Sequence, residues 1–425
     1  MISSLKIRKL FGRFNYDIET KPGGVTIITG PNGYGKSTIL LICEAISQGN
    51  FRFFLELEFE EIVCGFANKE TLSIKKARDT EGIIIDDVRC SRQTFMRILH
   101  GGVHPYIRRR GPGAWQDIRT GQFFDEMPPQ IDILDFPEVL EGMADDTKKE
   151  LEDLRSKIEL MKKWGGDTRL IPAQRLIKRN NAYSRHAREE ESLQEVIIDL
   201  PKRLKSIIDK VSTEYSAKAN QLDSTYPKRL LTSNDAINDT EYTTHFGEAS
   251  QKFEKLKEYN LAEMPLLEQG AFNDKYATAL KIYFDDFFSK YEVFERLIKQ
   301  LDLFTTILNG RLSFKKIVIS RGEGFLVSDT SDETRVLELE KLSSGEKQEI
   351  YLFFDLIFMA TEGLLLLVDE PELSLHVVWQ QKFLDDLLQV TNLNDLKVVV
   401  ATHSPTIIGS HWDINIDLGE LYHGN

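Results

Sequence analysis

The run Gly30-Pro31-Asn32-Gly33-Tyr34-Gly35-Lys36-Ser37 limits this chain more than any other feature. It fits the phosphate-loop pattern G-x-x-x-x-G-K-[ST]. An apolar run, Val25–Thr29, precedes it, and Lys36–Gln48 follows with Ile39, Leu40, Cys43 and Ile46 at helical spacing. Strand, glycine-rich turn and helix in that order are the context the motif requires. Gly30, Gly33 and Gly35 let backbone N–H groups converge on phosphate without Cβ clashes, and Pro31 and Asn32 complete the turn. The positive end of the helix adds to the anion site, with Thr38 in its first turn. Lys36 supplies a point charge for the β- and γ-phosphates, and the Ser37 hydroxyl a ligand for Mg2+.

Three downstream segments complete the pattern. Leu364–Val368 is wholly apolar and ends in Asp369-Glu370, as a buried parallel strand does when its carboxylates emerge at the C-terminal sheet edge. Asp369 is then the candidate for the magnesium shell and Glu370 for polarising an attacking water. Val398–Ala401 ends in Thr402-His403, which makes His403 a candidate γ-phosphate sensor. Before these lies Leu342-Ser343-Ser344-Gly345-Glu346-Lys347-Gln348, opening an apolar helix at Ile350–Phe358. Ser and Gly at a helix N-terminus make an anion site, while the plainer reading is a Ser N-cap with an acid in the first turn.

Phosphate loop, Ser-Ser-Gly-Glu helix, Asp-Glu strand and histidine, in that order, resemble the ABC-type ATPase heads of the SMC/Rad50/RecF/OLD branch. The segments LSSGEKQ and VDEPELSLH carry the resemblance. It implies an α/β P-loop NTPase head, a mixed sheet with an antiparallel N-terminal sheet and a helical insertion. It further implies ATP and Mg2+, with ATP sandwiched between two heads. Ser343, Ser344, Gly345 and Glu346 of one subunit would then face the γ-phosphate held by another. Ser374 to His376 would be the communication loop between the sites. The segment Ile171-Pro172-Ala173-Gln174-Arg175-Leu176 looks like the family's glutamine loop, with Gln174 as the residue reaching Mg2+ and the attacking water. Phe11 or Tyr16 is either an adenine contact or core.

The motifs set a division into an N-terminal lobe (1–180), a helical insertion (181–310) and a C-terminal lobe (311–425). Leu5–Arg8 and Asn15–Thr20 read as strands around a turn at Phe11-Gly12-Arg13, and Phe53–Val63 and Thr71–Lys75 as strands of an antiparallel sheet. Arg78–Pro137 reads as loop-rich. Asp145–Lys163, Arg185–Leu222 and Glu248–Leu308 are helix-periodic, with Pro201 expected to kink or restart the second. Leu312–Ser320 and Phe325–Ser328 read as a hairpin. Among acids outside the motifs, Asp132, Asp135, Glu138 and the pair Asp285-Asp286 read as solvated faces rather than a nuclease centre.

In 425 residues, 54 basic side chains against 67 acidic ones leave a formal charge of −13, which argues against a general polyanion binder. Three cysteines cannot make a disulfide framework and suit a reducing cytosol. The apolar run Ile350–Val368 contains Asp355 and Glu362, a poor membrane span. A cytoplasmic protein without a membrane partner is expected. The insertion is too short for SMC or Rad50 arms, and the chain ends soon after His403, without room for a fused TOPRIM nuclease. What remains resembles the stand-alone ATPase subunits of bacterial anti-phage systems of the PARIS and Septu or retron-associated kind. That resemblance implies a homo-oligomer, a separate nuclease effector as partner, and a phage protein as trigger. A RecF- or Rad50-like ATPase binding DNA is the alternative, with Arg108–Arg110, Lys75-Lys76 and Lys178, Arg179, Arg185 and Arg188 as its basic elements. A transporter motor is the third reading.

Overall fold

The computed structural model describes residues 1–77, 82–91, 107–111, 114–117, 123–124, 145–172, 189–261, 270–332, 334–374 and 377–422. They fall into two units, Met1–Leu193 with Ala360–Asn425, and Gln194–Met359. Residues 311–359 therefore group with the helices before them rather than with the C-terminal strands.

The first unit contains two sheets. Strands β1 (Ile2–Leu10), β2 (Phe14–Glu19), β4 (Glu61–Phe66), β5 (Thr71–Lys76), β6 (Gly82–Ile85) and β7 (Val88–Ser91) form an antiparallel sheet in the order β2-β1-β4-β5-β6-β7. The alternation of β2 is complete, with Phe14, Tyr16 and Ile18 inward and Asn15, Asp17 and Glu19 outward. The second sheet is parallel, in the order β11-β15-β16-β3-β17, from β3 (Val25–Thr29), β11 (Thr168–Ile171), β15 (Leu365–Asp369), β16 (Lys397–Ala401) and β17 (Asn415–Asp417). All five residues of β3 are buried, as a central parallel strand covered on both faces requires.

Helix α1 (Lys36–Gln48) joins the sheets. Its Ile39, Leu40, Ile42 and Ile46 share one core with Ile7, Leu10 and Ile62 of the antiparallel sheet and Leu365, Leu367 and Val399 of the parallel one. Cys43, Cys64 and Cys90 are buried and form no disulfide among the described residues. Burial pushes the Cys43 thiol up to about 12 and Cys64 upward too, so these are packing residues rather than reactive thiols.

Two expectations in this unit are corrected. Phe53–Val63 is not one strand: helix α2 (Phe51–Glu56), capped by the Asn50 side chain at Phe53 N, precedes β4. The apolar cluster Phe53, Phe54 and Leu55 lacks strand alternation, and the Asn50 cap selects the helix. The stretch Arg78–Pro137 contains strands among its described residues. These are β6, β7 and a small sheet of β8 (Ile107–Gly111), β9 (Ala114–Asp117) and β10 (Phe123–Phe124). Helix α3 (Asp145–Gly165) lies where its periodicity put it.

In the second unit, α4 (Glu189–Thr232) runs through both Pro201 and Pro227 without ending, so Pro201 does not restart it. Side-chain packing along the helix outweighs the lost backbone bond: Ile197, Leu200, Leu204 and Ile208 are all buried. The later block is two helices, α5 (Asp239–Glu258) and α6 (Ala277–Asn309), not one. Arg229 of α4 forks onto both oxygens of Asp286 in α6, at 2.6 and 2.7 Å. Asp286 is buried and paired, not a solvated acid; Asp285, exposed beside it, meets Lys281. The hairpin β12 (Lys315–Ser320) and β13 (Gly324–Asp329) packs its turn on α4, where Lys205 Nζ donates to the Gly322 carbonyl at 2.8 Å.

Gly324 is fixed by that contact. Its φ is +83°, and a Cβ there would lie 2.0 Å from the Pro201 carbonyl oxygen. Gly324→Ala is expected to cost the second unit about 3 kcal/mol. Denaturant unfolding of the full chain checks this; an unchanged transition would show that hairpin and helix are not locked together.

Candidate functional site

Three parallel strands assemble the site by register alone. Ile28 of β3 pairs with Ala401 of β16, and Ala401 pairs with Asp369 of β15. The segments leaving their C-terminal ends therefore emerge side by side, as ligand-binding segments do in open parallel sheets. These segments are Gly30–Gly35, Glu370 onward, and Thr402-His403. The Thr402 amide donates to Ile28 O at 3.1 Å and the Glu370 amide to Ala401 O at 2.8 Å, extending the ladder one step beyond the strands.

The phosphate-loop glycines Gly30, Gly33 and Gly35 stand at φ +146°, +85° and +86°. At Gly35 a Cβ would also meet Leu10 and Phe11 at 3.0 and 3.3 Å. Gly35 is the N-cap of α1, and no side chain caps that helix. Its first amides are thus left to whatever anion the loop receives. Lys36 is 5% exposed, and its ammonium donates to the carbonyls of Gly30 at 2.8 Å and Pro31 at 3.4 Å. The charge is held inside the loop before any ligand arrives.

Ser37 Oγ donates to Asp369 Oδ1 at 2.9 Å. Burial raises the Asp369 carboxyl above its ordinary range; the Ser37 bond and Lys36 oppose this, while Glu370 and Glu372 add to it. A hydroxyl and a carboxylate within one hydrogen bond, crowded by acids, are hard oxygen donors short of positive charge, which fits Mg2+. Ser37 and Asp369 would hold it, and when bound it would neutralise phosphate charge.

Glu370 has φ +41°, a strained value for a side chain of its size. Its Oε1 lies 3.8 Å from His403 Nδ1, and the His403 ring is 45% exposed. Gln174 lies outside the described residues, as do Leu375 and His376 of the communication loop.

In the second unit, Ser343 caps helix α7 (Ser344–Phe354) by a reciprocal capping box. The Glu346 amide donates to Ser343 Oγ at 3.3 Å and the Ser343 amide to Glu346 Oε2 at 2.9 Å. Burial alone would raise the Glu346 carboxyl, but Lys315 at 2.6 Å and the Ser343 bonds hold it below the ordinary range. The plainer reading of Ser343 and Glu346 as a helix cap is therefore right for those two. Ser344 is exposed, and among the described residues nothing beyond the adjoining residues and the helix's own backbone lies within 4 Å of where a Gly345 Cβ would stand. Nothing inside the chain demands glycine there.

The family model AAA_15, an AAA ATPase domain, matches residues 1–408. The chain belongs to this ATPase domain family. Among solved structures it is similar to the SmcHead bound to the C-winged helix domain of ScpA, at 11% identity over 96% of this chain and 91% of that one, with a TM-score of 0.34. It is similar also to the SMC head domain from Thermotoga maritima, at 12% identity over 96% and 90%, with a TM-score of 0.33. No curated protein matches.

Within the ATPase domain, the structure decides one reading the sequence left open and adds one residue. Tyr16 is core: it is 1% exposed, stacks on Phe14 at 5.8 Å and donates its hydroxyl to Tyr34 O at 2.8 Å. Phe11 is 36% exposed and lies against Gly35, so of the two it alone is open to a base. Glu372, given no role from sequence, accepts from Thr402 Oγ1 and His403 N at 2.7 and 2.9 Å. Its signal was an acid two residues past Asp369-Glu370, indistinguishable there from a surface acid.

Lys36→Ala is expected to weaken ATP binding at least about thirtyfold, since a buried charge aimed at phosphate is removed. Titration of a fluorescent ATP analogue measures this. Asp369→Asn should do the opposite to stability and to Mg2+ use. A raised folded pKa makes Asp369 destabilising once pH rises through it, so the neutral amide stabilises the ligand-free protein at pH 7 and not at pH 3. Thermal melts at both pH values, with a Mg2+ titration of ATP binding, check both arms.

Proposed function

We propose that this chain binds and hydrolyses ATP, with Mg2+, in a site completed by the signature helix of a second copy. The observation that carries the proposal is the common register of β3, β16 and β15. It brings phosphate loop, Asp369-Glu370 and His403 to one sheet edge. Lys36 and the loop amides bind the β- and γ-phosphates. Glu370, held near His403, orients and polarises the attacking water, and His403 meets the γ-phosphate. Gln174 is assigned to the water and Mg2+ by resemblance. Ser344 and Gly345 are the trans contacts: the open space at Gly345 suits close approach of another molecule's phosphate to bare backbone.

The wider role we propose is that of a homo-oligomeric sensor and scaffold controlling a separate nuclease effector in anti-phage defence. Its support is the resemblance to stand-alone defence ATPases and the compact helical block of 194–309 in place of long arms. Among the described residues no helix is long and apolar enough to cross a membrane. For duplex binding, Lys75 is taken up by Glu61 at 3.0 Å, and Lys76 donates to Leu55 O at 2.8 Å.

Glu370→Gln is expected to retain ATP while turnover falls about a hundredfold or more. A variant hydrolysing near the wild-type rate would place the base elsewhere. Ser344→Arg in one subunit should silence its neighbour's site in mixed oligomers and leave its own intact. Affinity capture of the Glu370→Gln protein with ATP and its flanking gene products tests the wider role. A stoichiometric nuclease on a homo-oligomer supports it, whereas a bare dimer carrying salt-sensitive DNA supports the repair-type reading.

A further inference from the structure

Glu372 is a buried carboxylate that the proposed chemistry does not use. Its side chain is 5% exposed, yet two donors converge on its Oε1, Thr402 Oγ1 at 2.7 Å and His403 N at 2.9 Å, and the His403 ring nitrogen Nδ1 lies 2.9 Å from the same oxygen. Oε2 has no partner among the described residues. All the hydrogen bonding seen at this acid is thus spent on the segment that follows β16. Its backbone is tied as well: Gln380 of helix α8 (Val377–Asn394) donates Nε2 to Glu372 O at 3.3 Å and accepts Ser404 Oγ at 3.1 Å.

The hydroxyl, the amide and the ring nitrogen thus all face one oxygen of Glu372. A carboxylate oxygen only accepts, so the ring nitrogen it meets carries the proton. That fixes which end of the imidazole is committed. Nδ1 is spent on Glu372, and Nε2 is the ring atom left for a ligand. The strained Glu370 lies two residues before Glu372, with its carboxylate 3.8 Å from the same Nδ1.

We propose that Glu372 is a positioning residue for His403: it holds the ring by Nδ1, sets its tautomer, and presents Nε2 to the γ-phosphate. The proposal rests on the reading of this edge as an ATP-hydrolysing site. It adds a residue that touches no substrate and acts only through the histidine. It also ties Pro371–Ser374, the turn leading into the communication loop, to the sensing side chain.

The test separates positioning from simple bracing of the loop. Glu372→Gln keeps size and an acceptor oxygen but cannot hold the ring by charge. Bracing alone would survive it. The expected result is a kcat lower by about tenfold to a hundredfold, with KM and the affinity for a fluorescent ATP analogue unchanged. Glu372→Asp, which keeps the charge, should recover part of the loss. Independently of turnover, 15N-histidine NMR of the wild-type chain should show Nδ1–H on one of its eight histidines, assigned by its loss in His403→Gln. The same signal should become a tautomer mixture in Glu372→Gln. An Nε2–H tautomer at His403 in the wild type, or wild-type kcat in Glu372→Gln, overturns the proposal. If the wild type binds but does not hydrolyse ATP, the reading of the site fails, while the NMR result still decides whether Glu372 holds the ring.

Discussion

Everything at the site depends on one constraint, the in-register pairing of three parallel strands. A slip of one residue along β16 would carry Thr402-His403 about 3.3 Å out of line with the phosphate loop and Glu370. Burial of the apolar residues of β3, β15 and β16 stabilises that register, and the last residue of each is then placed to within a hydrogen bond. Amide bonds from Glu370 and Thr402 carry the ladder past the strand ends. The chemistry-bearing residues are consequently held by backbone rather than by flexible side chains.

The same edge concentrates negative charge. Asp369, Glu370 and Glu372 lie within four residues, and Lys36 and the site's hydroxyls and amides offset them. Such a cluster is unfavourable in an apolar surround unless each acid has a distinct partner. Each does: Asp369 meets Ser37, Glu370 faces the histidine ring, and Glu372 collects the Thr402-His403 segment. The cost is lowered further when a divalent cation and the charged loop lysine share the site with phosphate. An arrangement that is uncomfortable without ligand is suited to binding one.

In the second unit the signature segment shows how a structural and a functional reading divide between adjacent residues. Ser343 and Glu346 close a capping box, which Lys315 reinforces, and this satisfies the first turn of α7. Ser344 and Gly345 take no part in that closure and stay accessible. Deeper in the same helix, Glu349 pairs with Arg311 at 2.7 Å with both side chains almost wholly buried, and Arg311 covers the Phe353 ring at 4.6 Å. The helix is thereby anchored at its base while its tip stays free for a partner.

Local pattern determined much of this protein. A glycine-rich turn between an apolar strand and an amphipathic helix can be read directly, because backbone conformation and periodicity are properties of neighbouring residues. So can Asp369-Glu370 and His403 as strand-end residues, since an apolar run that stops at polar side chains marks its own edge. Tertiary structure alone decided the rest. Asp286 reads as a surface acid until Arg229 arrives from a helix far away in sequence, and Tyr16 stays open between ligand contact and core until Phe14 and Tyr34 enclose it. Pro201 reads as a break until packing holds the helix through it. Glu372 differs from a solvated acid only because β16 brings Thr402 and His403 against it. Burial and charge pairing are sums over the whole fold, and no window of sequence contains them.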